Sequence, residues 1–308
     1  EAMRQQRPEP LVRLGIPLPL ARLVEDLLNI HDELRPSAQE ALVLLEAIAS
    51  ARPAEELKLY TYATYRARCP RVYRDPLHGD IRLTEFEWSI LNTPEYQRLG
   101  YLRQLGTAHY VYRGATHTRL SHSIGTLHVA EEMFQSAEET YGDKVEEDLR
   151  LQARVYALVH DITHIAFGHT LEDELGLFQQ HDKNWARAGR ILAQRTQIGR
   201  VLRSTTFGRQ VLQDLLDEAP SEEKQNVVRE IVDSPFGADV LDYIDRDALY
   251  CGLDERVDTA LLRRIRVGRG EPGPNHFLIS LIGKHGSRVD ITSSLRSLLE
   301  ARQHLHVK

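Results

Sequence analysis

Apolar residues recur at helical spacing through most of the chain. Residues 20–28 and 41–48 both carry an amphipathic stripe, punctuated by Pro36 and Pro53, and predict a helical preface over residues 1–70. At Arg71 the pattern changes. Val72-Tyr73 and Ile81-Arg82-Leu83 are short β-prone pieces around Asp75-Pro76-Leu77-His78-Gly79-Asp80, which is turn chemistry and predicts a small hairpin. Thr84 followed by Glu87 has the capping-box pattern of a helix start, and Thr93-Pro94 opens another helix. Residues 106–121 read as a loop that leads into a helix over 120–130. Further helices are predicted over 151–161, 185–192 and 210–216, and over 238–248 after a break at 233–237. Past Pro272 the period falls from 3.6 to 2, so residues 277–291 read as a β-hairpin, followed by a last helix from Ser294. The fold class expected is mostly α with a small β-hairpin near the C-terminus.

Composition narrows the picture. The 308 residues suffice for one large or two modest domains, and 27% charged with 42% hydrophobic residues is a globular balance. No apolar run approaches the roughly 20 residues needed to cross a bilayer, and residues 1–7 lack a signal-peptide core, so a cytoplasmic protein without membrane contact is expected. Cys69 and Cys251 are far apart and read as reduced thiols. A net charge of -6 gives no indication of nucleic-acid binding. Arg98, Arg103, Arg113 and Arg119 form either a solvated basic face or one side of a pocket for a small polyanion.

The chemistry concentrates in residues 157–169, where an apolar run delivers His160-Asp161 and then His164 and His169. If the helix continues through His164, the four-residue spacing stacks His160 and His164 on one face. His122 and His128 are six apart, so only one of them can face the same site. Asp239, Asp242, Asp245 and Asp247 crowd the start of a helix, which by itself reads as a solvated acidic turn favoured by the helix dipole. A His and Asp set of this kind suits a divalent metal, with Mn, Fe, Zn, Mg, Co and Ni all open. Other histidines nearby can move protons near neutral pH. Two reactions compete. His160-Asp161-Ile162-Thr163-His164 imitates the His-Glu-x-x-His helix of zinc proteases, but Asp is one methylene shorter than the required base, which disfavours that reading. Phosphoester hydrolysis is favoured.

The order His122, His160-Asp161, Asp239 resembles the H…HD…D signature of HD-domain metal-dependent phosphohydrolases. Residues 97–106, 114–125, 160–169 and 239–252, with 75–79, resemble more closely the deoxynucleoside triphosphate triphosphohydrolases of the SAM-and-HD-domain type, from about Arg71 onward. The resemblance implies an HD domain over 71–308, with the family's C-terminal lobe cut short, after an unrelated extension over 1–70. It implies that His122, His160, Asp161 and Asp239 hold the metal, that His164 and His181 contact phosphates, and that His169 with Glu172 forms the acid pair near the scissile phosphate. Gln104, Leu105, Tyr243 and Asp247 would form the deoxyribose floor, with Arg119 and Arg302 on the phosphates. The implied reaction converts a dNTP and water into deoxynucleoside and inorganic triphosphate, in a homo-oligomer. This chain departs from that pattern at Val240, where vertebrate relatives have a phosphate-binding Lys, and at Asn92 and Gly100, where they read an allosteric guanine nucleotide. Two alternatives stay open: a nucleotide phosphohydrolase releasing phosphate or pyrophosphate, and a nucleotide-sensing module without turnover.

Overall fold

In the computed structural model the described residues are 71–141, 145–216, 227–254, 256–257, 261–262, 265–270, 273–279, 282–283, 286–287 and 289–307. The helical preface expected over 1–70, and with it Cys69, lies outside them. The hairpin expected at the start is present. Strand β1 (Arg71–Asp75) pairs antiparallel with β2 (Gly79–Leu83), Tyr73 opposite Ile81. The turn is held by Asp75, whose Oδ1 accepts the Leu77 and His78 N–H groups at 2.9 and 3.0 Å, and Gly79 takes the left-handed φ of 75° that closes it. Helix α1 (Glu85–Leu91) starts on a complete capping box: the Glu87 N–H donates to Thr84 Oγ1, and the Thr84 N–H donates to the Glu87 carboxylate. Helix α2 (Pro94–Gln97) is capped by Thr93.

The core is built on α3 (Arg119–Tyr141), which packs against α4 (Glu147–Val159) and α9 (Ala238–Cys251). Helix α3 is buried nearly all round: Ile124, Leu127, Ala130, Met133 and Phe134 have no exposed surface to speak of, and Ser123 and Thr126 return their hydroxyls to carbonyls one turn back. The charges in this core are paired. Arg154 of α4 donates to both Glu87 oxygens, at 2.6 and 2.8 Å, and to Glu131, which also takes Arg150. Around this centre lie α5 (Trp185–Ile191), α6 (Gln197–Arg203), α7 (Thr206–Leu216) and α8 (Val227–Asp233), the last two on α4.

The C-terminal region corrects the hairpin boundaries. Strand β3 (Ile265–Gly270) pairs with β4 (Gly273–Ile279), Val267 opposite Phe277, while β5 (Ile282–Gly283) and β6 (Gly286–Ser287) form a minimal second hairpin. The last helix, α10 (Val289–Val307), takes in residues 289–291, which the alternation had assigned to a strand. Among the described residues no helix is long and apolar enough to cross a membrane.

Candidate metal centre

The site forms where α3, the end of α4 and the start of α9 meet. Helix α4 stops at Val159, with His160 as its C-cap. Residues beyond it are turns, their N–H groups reaching back only three residues (Ile162 to Val159, His164 to Asp161). A helix continued through His164 is therefore absent. Arg98 donates to the Ile162 and His164 carbonyls, and Arg187 donates to that of Thr163. His160 and His164 consequently do not stack on one face; they fall into two neighbouring clusters that meet at Asp161.

The first cluster is His122, His160 and Asp239. His122 Nε2 lies 2.9 Å and His160 Nε2 3.7 Å from Asp239 Oδ1, and Asp161 closes the set at 3.6 Å from His160 and 3.9 Å from His122. Each imidazole is oriented from behind. His160 Nδ1 donates to the Ala157 carbonyl at 2.8 Å, and His122 Nδ1 to Asp242 Oδ2 at 2.8 Å. Those outer bonds turn both Nε2 atoms inward, the arrangement that fixes metal-ligating histidines. His160 Nε2 is buried with no hydrogen-bond partner among the described residues, which is the gap a cation would fill. Burial works to lower both imidazole pKa values, but Asp239 and Asp242 lift His122 to about 10, and Asp161 and Asp239 lift His160 to about 9. Without a cation, protons neutralise these carboxylates; a divalent ion bound here would take their place.

The second cluster is Asp161, His164 and His181, and these groups could also hold a cation. The two rings stack with centroids 3.5 Å apart, and Asp161 Oδ1 lies 3.2 Å from His164 and 3.9 Å from His181. Burial holds His164 well below the usual imidazole range. Asp161 stays ionised against its own burial because His164, His160 and Arg119 surround it. Arg119, expected on the phosphates, places Nη1 2.7 Å from Asp161 Oδ2.

The expected pairing of His169 with Glu172 is not what the structure shows. Glu172 is buried and accepts from Arg187 at 2.7 Å and from the His181 backbone N–H at 3.0 Å, whereas His169 Nδ1 sits 2.7 Å from Asp173 Oδ2. His169 and Asp173 lie four residues apart across the π-type turn over Thr170–Glu174. On the sugar side, Gln104 carries a buried, unpartnered Oε1, Leu105 is half-buried beside it in sequence, and Asp247 accepts from His117 at 2.7 Å. Tyr243 and Arg302 are neighbours; burial lifts the Tyr243 phenol to about 12 despite the Arg302 charge.

Sequence reasoning missed the support behind the metal ligands. Asp242, read as part of a solvated acidic turn, is fully buried: Oδ2 faces His122, Oδ1 faces His78 at 2.6 Å, and Arg246 bridges it to Asp75. Asp247 is buried as well. Gly125 of α3 makes room for this group, since a Cβ there would collide with both the Asp242 carboxylate and the Arg246 guanidinium. Of the expected basic cluster, Arg98 and Arg119 point into the protein while Arg103 and Arg113 are exposed. A signal was available in the spacing Asp242 to Arg246, one helical turn apart.

Comparison with known proteins places this geometry. The HD domain family profile matches residues 119–247, which contain the metal set and the Asp242–Arg246 pair. The uncharacterized protein YwfO of Bacillus subtilis is 31% identical over 188 residues, 59% of this chain and 41% of that protein. Deoxynucleoside triphosphate triphosphohydrolase SAMHD1 of Xenopus laevis is 39% identical over 104 residues, 33% of this chain and 16% of that one. The chain thus spans less than half the length of these curated relatives. A crystal structure of a hypothetical protein from Aquifex aeolicus superposes with a TM-score of 0.60 at 26% identity, covering 78% of this chain and 59% of that one. Residues 119–247 form an HD domain, and these likenesses support an HD-domain phosphohydrolase.

Proposed function

We propose that this protein hydrolyses deoxynucleoside triphosphates at the innermost phosphate, yielding deoxynucleoside and inorganic triphosphate, with a divalent cation held by His122, His160, Asp161 and Asp239. The observation that carries the metal dependence is the buried, unpartnered Nε2 of His160, turned by Ala157 toward Asp239 and Asp161. The choice of dNTP is supported by the likeness to SAMHD1, whose name states that activity. A cation bound there polarises a phosphoryl oxygen and eases deprotonation of water.

The chain's own groups would do the rest. His164 and His181, stacked beside Asp161, offer imidazoles to the phosphates, and His169 at the open rim can protonate the departing 5′ oxygen. Arg119 keeps Asp161 ionised and aimed. Asp247, with one oxygen on His117, presents the other to a sugar hydroxyl, and the unpartnered Gln104 Oε1 accepts another. A homo-oligomer working in the cytoplasm is part of the same proposal, on the strength of that resemblance.

Val240, buried beside Asp239 in place of a cation, favours a second reading in which the bond cleaved lies farther out along the phosphates. Incubating the full chain, supplied in turn with each divalent ion, with a panel of dNTPs and NTPs and identifying products by mass separates the readings. Triphosphate supports the proposal, orthophosphate or pyrophosphate supports the second reading, and binding without product, in wild type as in Asp161→Ala, identifies a nucleotide sensor.

A further inference from the structure

The rim of the site holds two adjacent carboxylates with different work. Glu172 is saturated: Oε1 accepts from Arg187, and Oε2 faces both the backbone N–H and the Nδ1 of His181, at 3.0 and 3.3 Å. Its side chain is buried. Asp173 lies outside, with Oδ2 2.7 Å from His169 Nδ1 and Oδ1 accepting from Gln180 Nε2 at 2.7 Å. The chain reaches this arrangement through a left-handed residue, Phe167 at φ 58°, and then the π-type turn over Thr170–Glu174. Phe167 is not a glycine, so its backbone is held there by its surroundings; such conformations gather at functional sites. The result puts the His169 ring 5.2 Å from that of His164 and 5.6 Å from that of His181, at the exposed edge of the second cluster.

We propose that Asp173 is the positioning carboxylate of His169, and that Glu172 instead positions His181 together with Arg187. The proposal rests on the phosphoester reading above and assigns its proton donor. With Nδ1–H donated to Asp173, the imidazole is fixed in ring orientation and tautomer, and Nε2 is the nitrogen that faces a substrate. In the step itself the oxygen of water bonds to the innermost phosphorus while the bond from phosphorus to the 5′ oxygen breaks. The electron pair of that bond goes to the 5′ oxygen, which takes the Nε2 proton of the doubly protonated His169 and leaves the neutral Nδ1–H tautomer held by Asp173. The water's proton passes to solvent, from which His169 is recharged, and Asp173 stays ionised throughout. Gln180 holds the other Asp173 oxygen, so the carboxylate cannot swing away from the ring.

The test uses the full chain with Mn2+, as wild type, Asp173→Asn, Asp173→Glu and Glu172→Gln. Two substrates are compared: a dNTP, whose departing alkoxide needs a proton, and bis(4-nitrophenyl) phosphate, whose nitrophenolate departs without one. Asp173→Asn is expected to lower kcat on the dNTP by about 10- to 100-fold with KM changed less than about threefold, and to leave the aryl ester within about threefold. Asp173→Glu should recover part of the loss, and Glu172→Gln should affect both substrates alike. A second readout is independent of turnover. Histidine 15N spectra, with the His169 signal assigned from His169→Gln, should report the Nδ1–H tautomer in wild type and in Glu172→Gln, and its loss in Asp173→Asn. Equal losses on both substrates for Asp173→Asn, or a His169 tautomer that responds to Glu172→Gln and not to Asp173→Asn, overturns the proposal. If wild type turns over no dNTP while the tautomer follows Asp173, the pairing stands and it is the substrate assignment that fails.

Discussion

The inner and outer halves of the site are built on opposite terms. Inside, His122, Asp242, Arg246 and Asp75 are all but inaccessible to water and satisfy one another through helix α9 and the β1–β2 turn, so no member can leave without stranding a charge. Outside, His169 and Asp173 are more than 40% exposed and joined by one hydrogen bond that breaks without desolvating anything. The inner half fixes positions and contributes to the stability of the whole protein; the outer half, which the proposed reaction uses for proton transfer, can change at little structural consequence. The two regions should therefore answer mutation differently, stability inside and rate outside.

That contrast can be broken in several ways. Arg246→Ala should have the largest effect on folding, about 3–5 kcal/mol in urea denaturation, because Asp75 and Asp242 are left buried and unpaired. Asp239→Ala should cost about 10^3-fold in turnover and most of the bound metal by elemental analysis, and should lower the denaturation midpoint, since the carboxylate that holds the His122 and His160 protons is lost with the metal. Gly125→Ala, which forces a methyl group against Asp242 and Arg246, should cost about 1–3 kcal/mol and weaken metal binding through a shifted His122. His169→Asn should change stability by less than about 0.5 kcal/mol while slowing hydrolysis of the dNTP. A large loss of stability in that last variant would erase the distinction between the two halves.

Proton linkage sharpens the same comparison. In the metal-free protein His122 stands at about 10 and His160 at about 9, raised above the ordinary imidazole value. A raised folded-state pKa stabilises fully below the unfolded value, about 6.5, and that contribution is lost as pH climbs through 9 and 10. The denaturation midpoint of the metal-free protein should therefore fall between pH 7 and 10. The metal-loaded protein should fall less, since the ion replaces those protons. A metal-free midpoint that stays level over this range would show that the imidazoles are not protonated between their carboxylates.

Local signals were legible in the sequence wherever local chemistry decides the structure. Thr84 with Glu87, Thr93 with Pro94 and the Asp75 turn each act within four residues, and each element begins where those residues place it. The order of His122, His160-Asp161 and Asp239 was also readable, and the structure gathers these residues around one point. What failed depended on partners distant in the chain. Helix α4 ends at Val159 and passes into turns whose carbonyls are held by Arg98 and Arg187, and nothing within the run itself marks that stop. Asp242 looked like a surface acid because its partner His78 lies 164 residues away. Strand β3 went unread because Gly268 and Gly270 interrupt its alternation; in the pairing they stand opposite His276 and Gly273, with a register shift between them. The contact of His169 with Asp173 and not Glu172 was not legible because Glu172 is taken by His181 and Arg187, nine and fifteen residues on.

The hairpin turn at Asp75 has a bearing on how the molecule could be divided. The segment matched by the HD profile begins at Arg119, yet the anions that pair with Arg246 and Arg154 include Asp75 and Glu87, and the guanidinium that holds the Ile162 and His164 carbonyls belongs to Arg98. A fragment cut at that boundary would lose one anion from each of those cations and the clamp from the loop behind the candidate site. A piece that keeps these pairs reaches back to Asp75, so the short strands in front of the helices are foundations of that site rather than its porch.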